Sequence, residues 1–388
     1  MKKVLIITTN SGFVPQFEMN DIKILEEYGY QIHYASNFCK PVYRFDQKAV
    51  EERGIRIHHI DIEKSPLRIG ANLRAWKQLR KIVRSEQIDL IHCHNPIGGV
   101  LGRLAAGCGK KAPRVIYTAH GFHFYDGAPM KNWLLYYPAE CILAHRTDIL
   151  ITINREDYER ADRLHLRKGG RIERIHGVGV DMERFRPMQA INLKKRKELG
   201  IPKDAFHIVS VAELNDNKNL QTVIRAMAEL SQRNVYYSIC GTGQNEEKLK
   251  KLAADRGLEG RIRLLGYRTD VEEVLQTADC FVFPSIREGF GIAAVEALAC
   301  GVPVIAGNNR GTREYMRDGV NGILCPPLDK EAFARAIGTL YEDPEYRQRL
   351  AAVCRESILP FSLTAVDRDM RRIYRGAAKT KTAGVEHP

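Results

Sequence analysis

The chain has 388 residues, 44% hydrophobic and 28% charged, with a net charge of +13. That length exceeds the roughly 250–300 residues a single core sustains and predicts two domains; the composition excludes a disordered or fibrous chain. The basic excess suits an anionic partner: nucleic acid, a phosphorylated substrate or an acidic membrane surface.

At the amino terminus Met1-Lys2-Lys3 precedes only Val4–Ile7, an apolar run that reads as a first strand and is too short for a signal peptide, so a cytoplasmic location is expected. Thr9-Asn10-Ser11-Gly12-Phe13 follows it, and Gly12 could let the backbone approach a phosphate closely. Further apolar runs at Ile55–Ile60, Leu90–Ile91, Val115–Tyr117 and Ile149–Ile153 are continuous and do not alternate, as in parallel strands buried on both faces. The first half is therefore predicted to be doubly wound α/β.

Between these strands, Lys64 to Ser85 carries Arg74, Lys77, Arg80, Lys81 and Arg84 among its seven basic residues and no acidic one. Leu73, Trp76, Leu79 and Val83 recur at helical spacing, so a basic amphipathic helix is expected, with Trp76 suited to an anionic membrane interface. His92 and His94 flank Cys93 at a strand end, but no third or fourth ligand stands at a recognisable spacing, so no metal site is expected. His120 ends the next strand and precedes Gly121, which leaves its ring free to face a cleft. The nine cysteines are odd in number and scattered, without Cys-x-x-Cys, and read as reduced thiols.

A polar, basic stretch from Arg184 to Lys203, with Pro187 and Pro202, reads as the domain boundary. Strands are predicted to resume at His207–Val211, Tyr236–Cys240, Ile262–Leu265, Cys280–Phe283, Val304–Ala306 and Gly322–Cys325. The expected division is residues 1–185, residues 186–360, and a helix with a polar tail, 361–388, packing back toward the first domain. Two such domains would leave a cleft between the carboxyl ends of their sheets, where ligands bind.

The most informative segment runs from Pro284 to Pro303. A strand enters a glycine-bracketed turn, Gly289-Phe290-Gly291, and a helix is expected from near Phe290 to Gly301. The amides at that helix start, through Ile292, form an anion site fit for a phosphate. Glu288 before the helix and Glu296 on it have seven residues between them, and carboxylates accept hydrogen bonds from sugar hydroxyls. Asp367-Arg368-Asp369 reads as a solvated charge pattern. A nucleic-acid binder is disfavoured because no recognition helix, zinc finger or aromatic RNA-binding strand is present. A nicotinamide dehydrogenase is disfavoured because no Gly-x-Gly-x-x-Gly follows the first strand.

With Glu288 and Glu296 in place, the sequence resembles the retaining glycosyltransferases of family 4, over nearly its whole length. The resemblance implies α/β GT-B architecture, two doubly wound Rossmann-like domains facing a central cleft. It implies that Glu288 touches the donor sugar hydroxyls, that the amides after it hold sugar and phosphate, and that Glu296 binds the ribose. Gly241-Thr242-Gly243, Gly266 and Gly319-Val320-Asn321-Gly322 match as well, and His120 matches a histidine that contacts the donor sugar near its reacting carbon. The segment His120-Gly121-Phe122-His123-Phe124-Tyr125 with Asn132 to Pro138 is similar to an exopolysaccharide- and capsule-assembly subgroup.

The family's phosphate lysine falls on Lys218, where a fixed ammonium would stabilise the departing diphosphate. The family's Arg five positions earlier and Gly one position later are here Glu213 and Asn219. The implied reaction moves a hexosyl group from a nucleotide-sugar, by family frequency a UDP-sugar, to a glycan or polyprenyl-diphosphate-linked acceptor by a front-face route. No metal or other cofactor is expected, the protein supplying the counter-charge. A soluble acceptor, a sugar-nucleotide epimerase on the same fold and a nucleotide-sugar binder without catalysis stay open as alternatives.

Overall fold

The computed structural model describes residues 1–39, 45–109, 111–188, 190–231 and 234–379. The polar tail expected at the carboxyl terminus lies, from residue 380 on, outside them. The chain divides into two units: Met1–Val178 together with the chain from Val366, and Gly179–Ala365.

The first unit holds a seven-stranded parallel sheet of β1 (Lys2–Ile7), β2 (Tyr30–Ser36), β3 (Arg56–His59), β4 (Leu90–His94), β5 (Arg114–Ala119), β6 (Ile149–Thr152) and β7 (Arg171–Arg174). Their spatial order is β3-β2-β1-β4-β5-β6-β7. In β1 Val4, Leu5, Ile6 and Ile7 are all buried, as a strand covered on both faces requires. Two strands fall on segments not expected to be extended. β2 carries His33, Tyr34 and Ser36, but each is buried with a polar partner: His33 Nδ1 lies 2.9 Å from His58 Nε2, and the Tyr34 and Ser36 hydroxyls meet Thr8. β7 is an edge strand, Arg-Ile-Glu-Arg, whose Glu173 pairs with Arg171 beside it and with Arg372 of the last helix, Leu363–Lys379. Arg114 also reaches that helix, donating to the Ala377 carbonyl at 2.9 Å, so the helix from Val366 onward completes the first unit.

The second unit repeats the plan with β8 (Phe206–Val211), β9 (Val235–Cys240), β10 (Ile262–Gly266), β11 (Cys280–Phe283), β12 (Val304–Gly307) and β13 (Gly322–Cys325), in the order β10-β9-β8-β11-β12-β13, all parallel. In both sheets the order reverses beside the first strand, between β1 and β4 and between β8 and β11. Crevices outside the carboxyl ends of strands at such reversals are where doubly wound sheets bind ligands.

The basic stretch expected to be the domain boundary is folded into the second unit. It contains the helix Leu193–Glu198, capped by Asn192, which accepts from the Lys195 amide. Arg196 is only 2% exposed and donates to the carbonyls of Thr277, Lys203 and Ala205 and to the Asp279 carboxylate at 2.7 Å. Lys195 is buried among Glu198, Asp270 and Glu273. Basic residues suggested solvent, but acids on the segment 270–279 claim them, and the division falls after Val178 instead of after residue 185. Removing one partner of a buried, hydrogen-bonded ion pair typically costs about 3–5 kcal/mol. Arg196→Ala should therefore lose about that much in a urea titration followed by circular dichroism, whereas Arg53→Ala, which breaks the solvent-exposed pair with Glu26, should lose under about 1 kcal/mol.

Candidate functional site

In the second unit the loops after β8 and β11 leave the sheet at its reversal point and are knitted together. The Ile286 amide donates to the Asn217 carbonyl, and Asn217 Nδ2 donates to the Arg287 carbonyl, both at 2.9 Å. This clasp brings Lys218 to Glu288, seventy positions away: Lys218 Nζ stands 2.6 Å from Glu288 Oε1 and 5.3 Å from the centre of the Phe283 ring. Both side chains are partly shielded from solvent.

Asn219 occupies the family's glycine position, and its backbone shows why the replacement is tolerated. Its φ of 55° is left-handed, a region that glycine enters freely and asparagine more readily than other residues. Its amide nitrogen donates to the carbonyls of Pro284 and Pro327, while its oxygen accepts from Thr222 at the start of the next helix. Glu213, in the family's arginine position, is exposed.

The helix expected from Phe290 begins at Ile292 and runs to Ala299. Gly291 precedes it with φ 93°, and a Cβ there would lie 2.7 Å from the Phe283 ring, so the turn demands glycine twice over. Phe290 is a core side chain against Tyr315 and Phe361, and what it can offer a ligand is its backbone amide. Gly289, Gly291 and Ile292 lie in the same turn, at the start of the helix, the end toward which a helix directs its positive dipole. A third loop, after β12, abuts this turn: a Cβ on Gly311 would lie 2.8 Å from Glu288 Cβ, and Asn309 Nδ2 donates to the Ser285 carbonyl at 3.0 Å. It carries the buried Arg310, a second cation that the sequence pattern did not single out.

Gly241 and Gly243 follow β9. A Cβ on Gly241 would fall 1.8 Å from the Ala212 carbonyl oxygen, and one on Gly243 would fall 2.5 Å from that of Leu214. Close backbone approach to the turn after β8 thus requires both glycines, whatever ligand they meet.

Glu296 is half-buried in the second turn of its helix, and burial, opposed by Arg184 and reinforced by Glu272, pushes its carboxyl up to about 7. Arg184 itself is paired with Glu272 at 2.7 Å. Sequence spacing found Glu296 but not these two neighbours.

In the first unit Gly12 lies in a buried turn after β1, its amide donating to Asn10 Oδ1 at 3.2 Å. His120 follows β5 and packs against Phe13, ring centroids 5.0 Å apart. Its Nε2 lies 3.1 Å from His94 Nδ1 and 3.9 Å from Glu18 Oε1. Burial lowers the His120 imidazole to about 4 and holds that of His94 well below its ordinary value; burial and the neighbouring Asp21 raise Glu18. His92 takes a different part, bridging the Tyr374 hydroxyl and Thr118 at 2.8 Å each. Asp21 accepts from the Tyr374 hydroxyl at 2.8 Å. Glu18, Asp21 and Tyr374 carried no signal in the sequence, because no spacing links them to the histidines.

On the basic helix Ile69–Ser85, Arg74 pairs with Asp61 at 3.1 Å and Arg80 stacks over Trp76 at 5.0 Å. Trp76, expected at an interface, is turned inward onto the apolar cluster beneath the first sheet, since its position continues the buried stripe of Ala75, Leu79 and Val83. Lys77, Lys81 and Arg84 are exposed. Exposed apolar side chains stand elsewhere, at Leu67, Ile69 and Leu73 near the start of this helix and at Met130, Leu134, Leu135 and Ile142 on the helix Met130–Ala144.

Residues 192–356 match the family model described as glycosyl transferases group 1, and residues 3–154 match that described as glycosyl transferase 4-like. A protein of Bacillus subtilis (strain 168) named as glycosyltransferase EpsD is 41% identical over 377 residues, 96% of each chain. The chain belongs to the group 1 glycosyltransferases. A relative, the UDP-Gal:alpha-D-GlcNAc-diphosphoundecaprenol alpha-1,3-galactosyltransferase of Escherichia coli, is 30% identical over 70% of this chain and 71% of its own. In fold the chain is similar to Anabaena Alr3699/HepE, solved in complex with UDP, with a TM-score of 0.77 at 21% identity over 97% of this chain and 100% of that one. The α/β pair of Rossmann-like units is that of the GT-B glycosyltransferases.

The site makes one pH prediction. Because the folded protein holds Glu296 near 7 and the unfolded chain near 4.5, the ionised carboxylate is penalised in the fold, and stability falls as pH rises between those values. Glu296→Gln removes the penalty, so its melting temperature relative to the parent should be higher at pH 8 than at pH 5. A difference that does not change with pH contradicts this.

Proposed function

We propose that this glycosyltransferase moves a hexosyl group from a UDP-sugar, with retention of configuration, to a polyprenyl-diphosphate-linked sugar during assembly of an extracellular polysaccharide. The observation that carries the reading is the Lys218–Glu288 pair at the β8/β11 reversal, beside the start of the helix Ile292–Ala299. Glu288 accepts from the donor sugar hydroxyls, the amides of Gly289 to Ile292 receive the diphosphate, and Glu296 receives the ribose. Lys218 leaves Glu288 for the diphosphate as negative charge develops on the leaving oxygen. Arg310, on the loop against Glu288, supplies the second cation that position 213 lacks. In the first unit, His120 and Gly12 are the candidates for donor contact that the family resemblance implies. The departing phosphate takes the acceptor proton on the same face, and the fixed cations make a metal unnecessary for transfer. The lipid-linked acceptor follows from the acceptor named for the Escherichia coli relative and from the exopolysaccharide subgroup resemblance.

Removing one preorganised electrostatic contact typically lowers turnover by about 10²–10³. Glu288→Gln and Lys218→Ala should each lose about that much in a transfer assay with UDP-sugar donors, without unfolding the protein. Near-normal turnover in either variant removes that residue from the site. Donor hydrolysis or transfer in the parent protein also separates an enzyme from a binder without catalysis.

The acceptor reading places the first unit against an anionic membrane surface, although among the described residues no helix is long and apolar enough to cross a membrane. Arg74, Lys77, Arg80, Lys81 and Arg84 supply attraction of about 1 kcal/mol each near such a surface. The exposed Leu67, Ile69, Leu134 and Ile142 supply apolar area that Trp76 does not. Co-sedimentation with vesicles of increasing anionic lipid content should show binding at low salt that weakens at high salt and is lost when those five basic residues become Gln. Absent binding at low salt transfers the preference to a soluble acceptor.

A further inference from the structure

We propose that Glu18, His94 and His120 form a binding site for one divalent transition-metal ion of the zinc class. His94 Nδ1, His120 Nε2 and Glu18 Oε1 form a triangle with sides of 3.1, 3.5 and 3.9 Å. A point equidistant from all three atoms lies about 2 Å from each, the bond length zinc makes to imidazole nitrogen and carboxylate oxygen. Two imidazoles and one carboxylate are an ordinary three-residue ligand set for an ion that keeps a further position open. That position has somewhere to face: Glu18 and His120 both line a pocket shared with Asn20, Asp21 and Thr118.

The surroundings fix the ligands in place. His94 is 1% exposed, at the carboxyl end of β4 next to the β1/β4 reversal; Glu18 ends the short π-helix Val14–Glu18 in the connection after β1, and His120 follows β5. Three neighbouring strands, with the connections that follow them, therefore deliver one donor each. Behind them Asp21, beside Glu18, accepts from Tyr374 of the last helix, and Tyr374 is in turn bonded to His92, whose ring packs against that of His94, so the chain backs the ligands by packing. Phe13 covers the rings of both ligand histidines.

His94 Nε2 opposes binding, since it is buried without a hydrogen-bond partner and would carry the proton once Nδ1 ligates. The ring of His92, its centroid 4.1 Å away, is what it would face, so the affinity should fall below that of a site whose outer nitrogens are all bonded. The inference does not rest on the transfer reaction proposed above, whose counter-charge lies in the second unit, but it shares His120 with it, so an ion held by His120 Nε2 and a donor sugar touching that ring would compete.

The test is direct metal binding by the full-length protein. Protein treated with a chelator and desalted is titrated with zinc chloride against a chromophoric chelator. X-ray absorption is then measured on the zinc-loaded parent. One zinc per chain is expected, in a shell of nitrogen and oxygen at about 2.0–2.2 Å that includes imidazole and no sulfur. His94→Gln and Glu18→Gln should each weaken uptake at least about tenfold. The absorption measurement needs no variant, so a misfolded variant does not shield the inference. No saturable uptake, a sulfur ligand, or unchanged affinity in either variant overturns it. A sulfur ligand in particular would point to a surface pair such as Cys39 and His59, whose Sγ and Nδ1 lie 4.0 Å apart.

Discussion

Every strand pairing in both sheets is parallel, so all carboxyl ends of a sheet lie along one edge and the loops leaving them are neighbours in space. This alignment decides where chemistry can gather. Residues 218 and 288 belong to different crossovers, yet each stands just past the end of one of two adjacent strands, β8 and β11, whose connections depart to opposite sides. The same relation between β1, β4 and β5 assembles Glu18, His94 and His120 in the first unit.

Within the second unit the Lys218–Glu288 contact holds the alignment in working order. A lysine on a flexible stem would otherwise sample many rotamers, and tying it to Glu288 over the Phe283 ring limits that search before any donor arrives. In the reaction proposed above, an arriving diphosphate would exchange one anionic partner of Lys218 for another and free Glu288 for the sugar. The backbone clasp between Asn217 and the 286–287 turn, the left-handed Asn219 and the glycine at 311 all serve to set the two side chains within reach. Asn219 keeps the backbone geometry of the glycine it replaces and adds four side-chain bonds, so this departure from the family pattern is conservative.

What the sequence made legible was whatever is local. Continuous apolar runs revealed buried parallel strands, and a glycine-bracketed turn revealed the start of the helix at 292, two residues later than expected. The spacing of Glu288 and Glu296 revealed a carboxylate on each side of that turn. What stayed hidden depends on partners far along the chain. β2 looks polar until His58 and Thr8 answer its side chains. Lys195 and Arg196 look like part of a polar domain boundary until Asp270 and Asp279 enclose them. Trp76 looks like an interface residue until the sheet beneath it is built. His92 and His94 lack a third companion by spacing, and Glu18 supplies one to His94 only because β1 and β4 are adjacent.

The cooperation of Lys218 and Glu288 is tested most directly by a double-mutant cycle on transfer rates, comparing Lys218→Met, Glu288→Gln and the double variant with the parent. If the two act as one unit, each loss presupposes the other residue, and the double variant should be scarcely slower than the slower single variant. Losses that multiply independently would show that their contact at 2.6 Å has no part in the reaction.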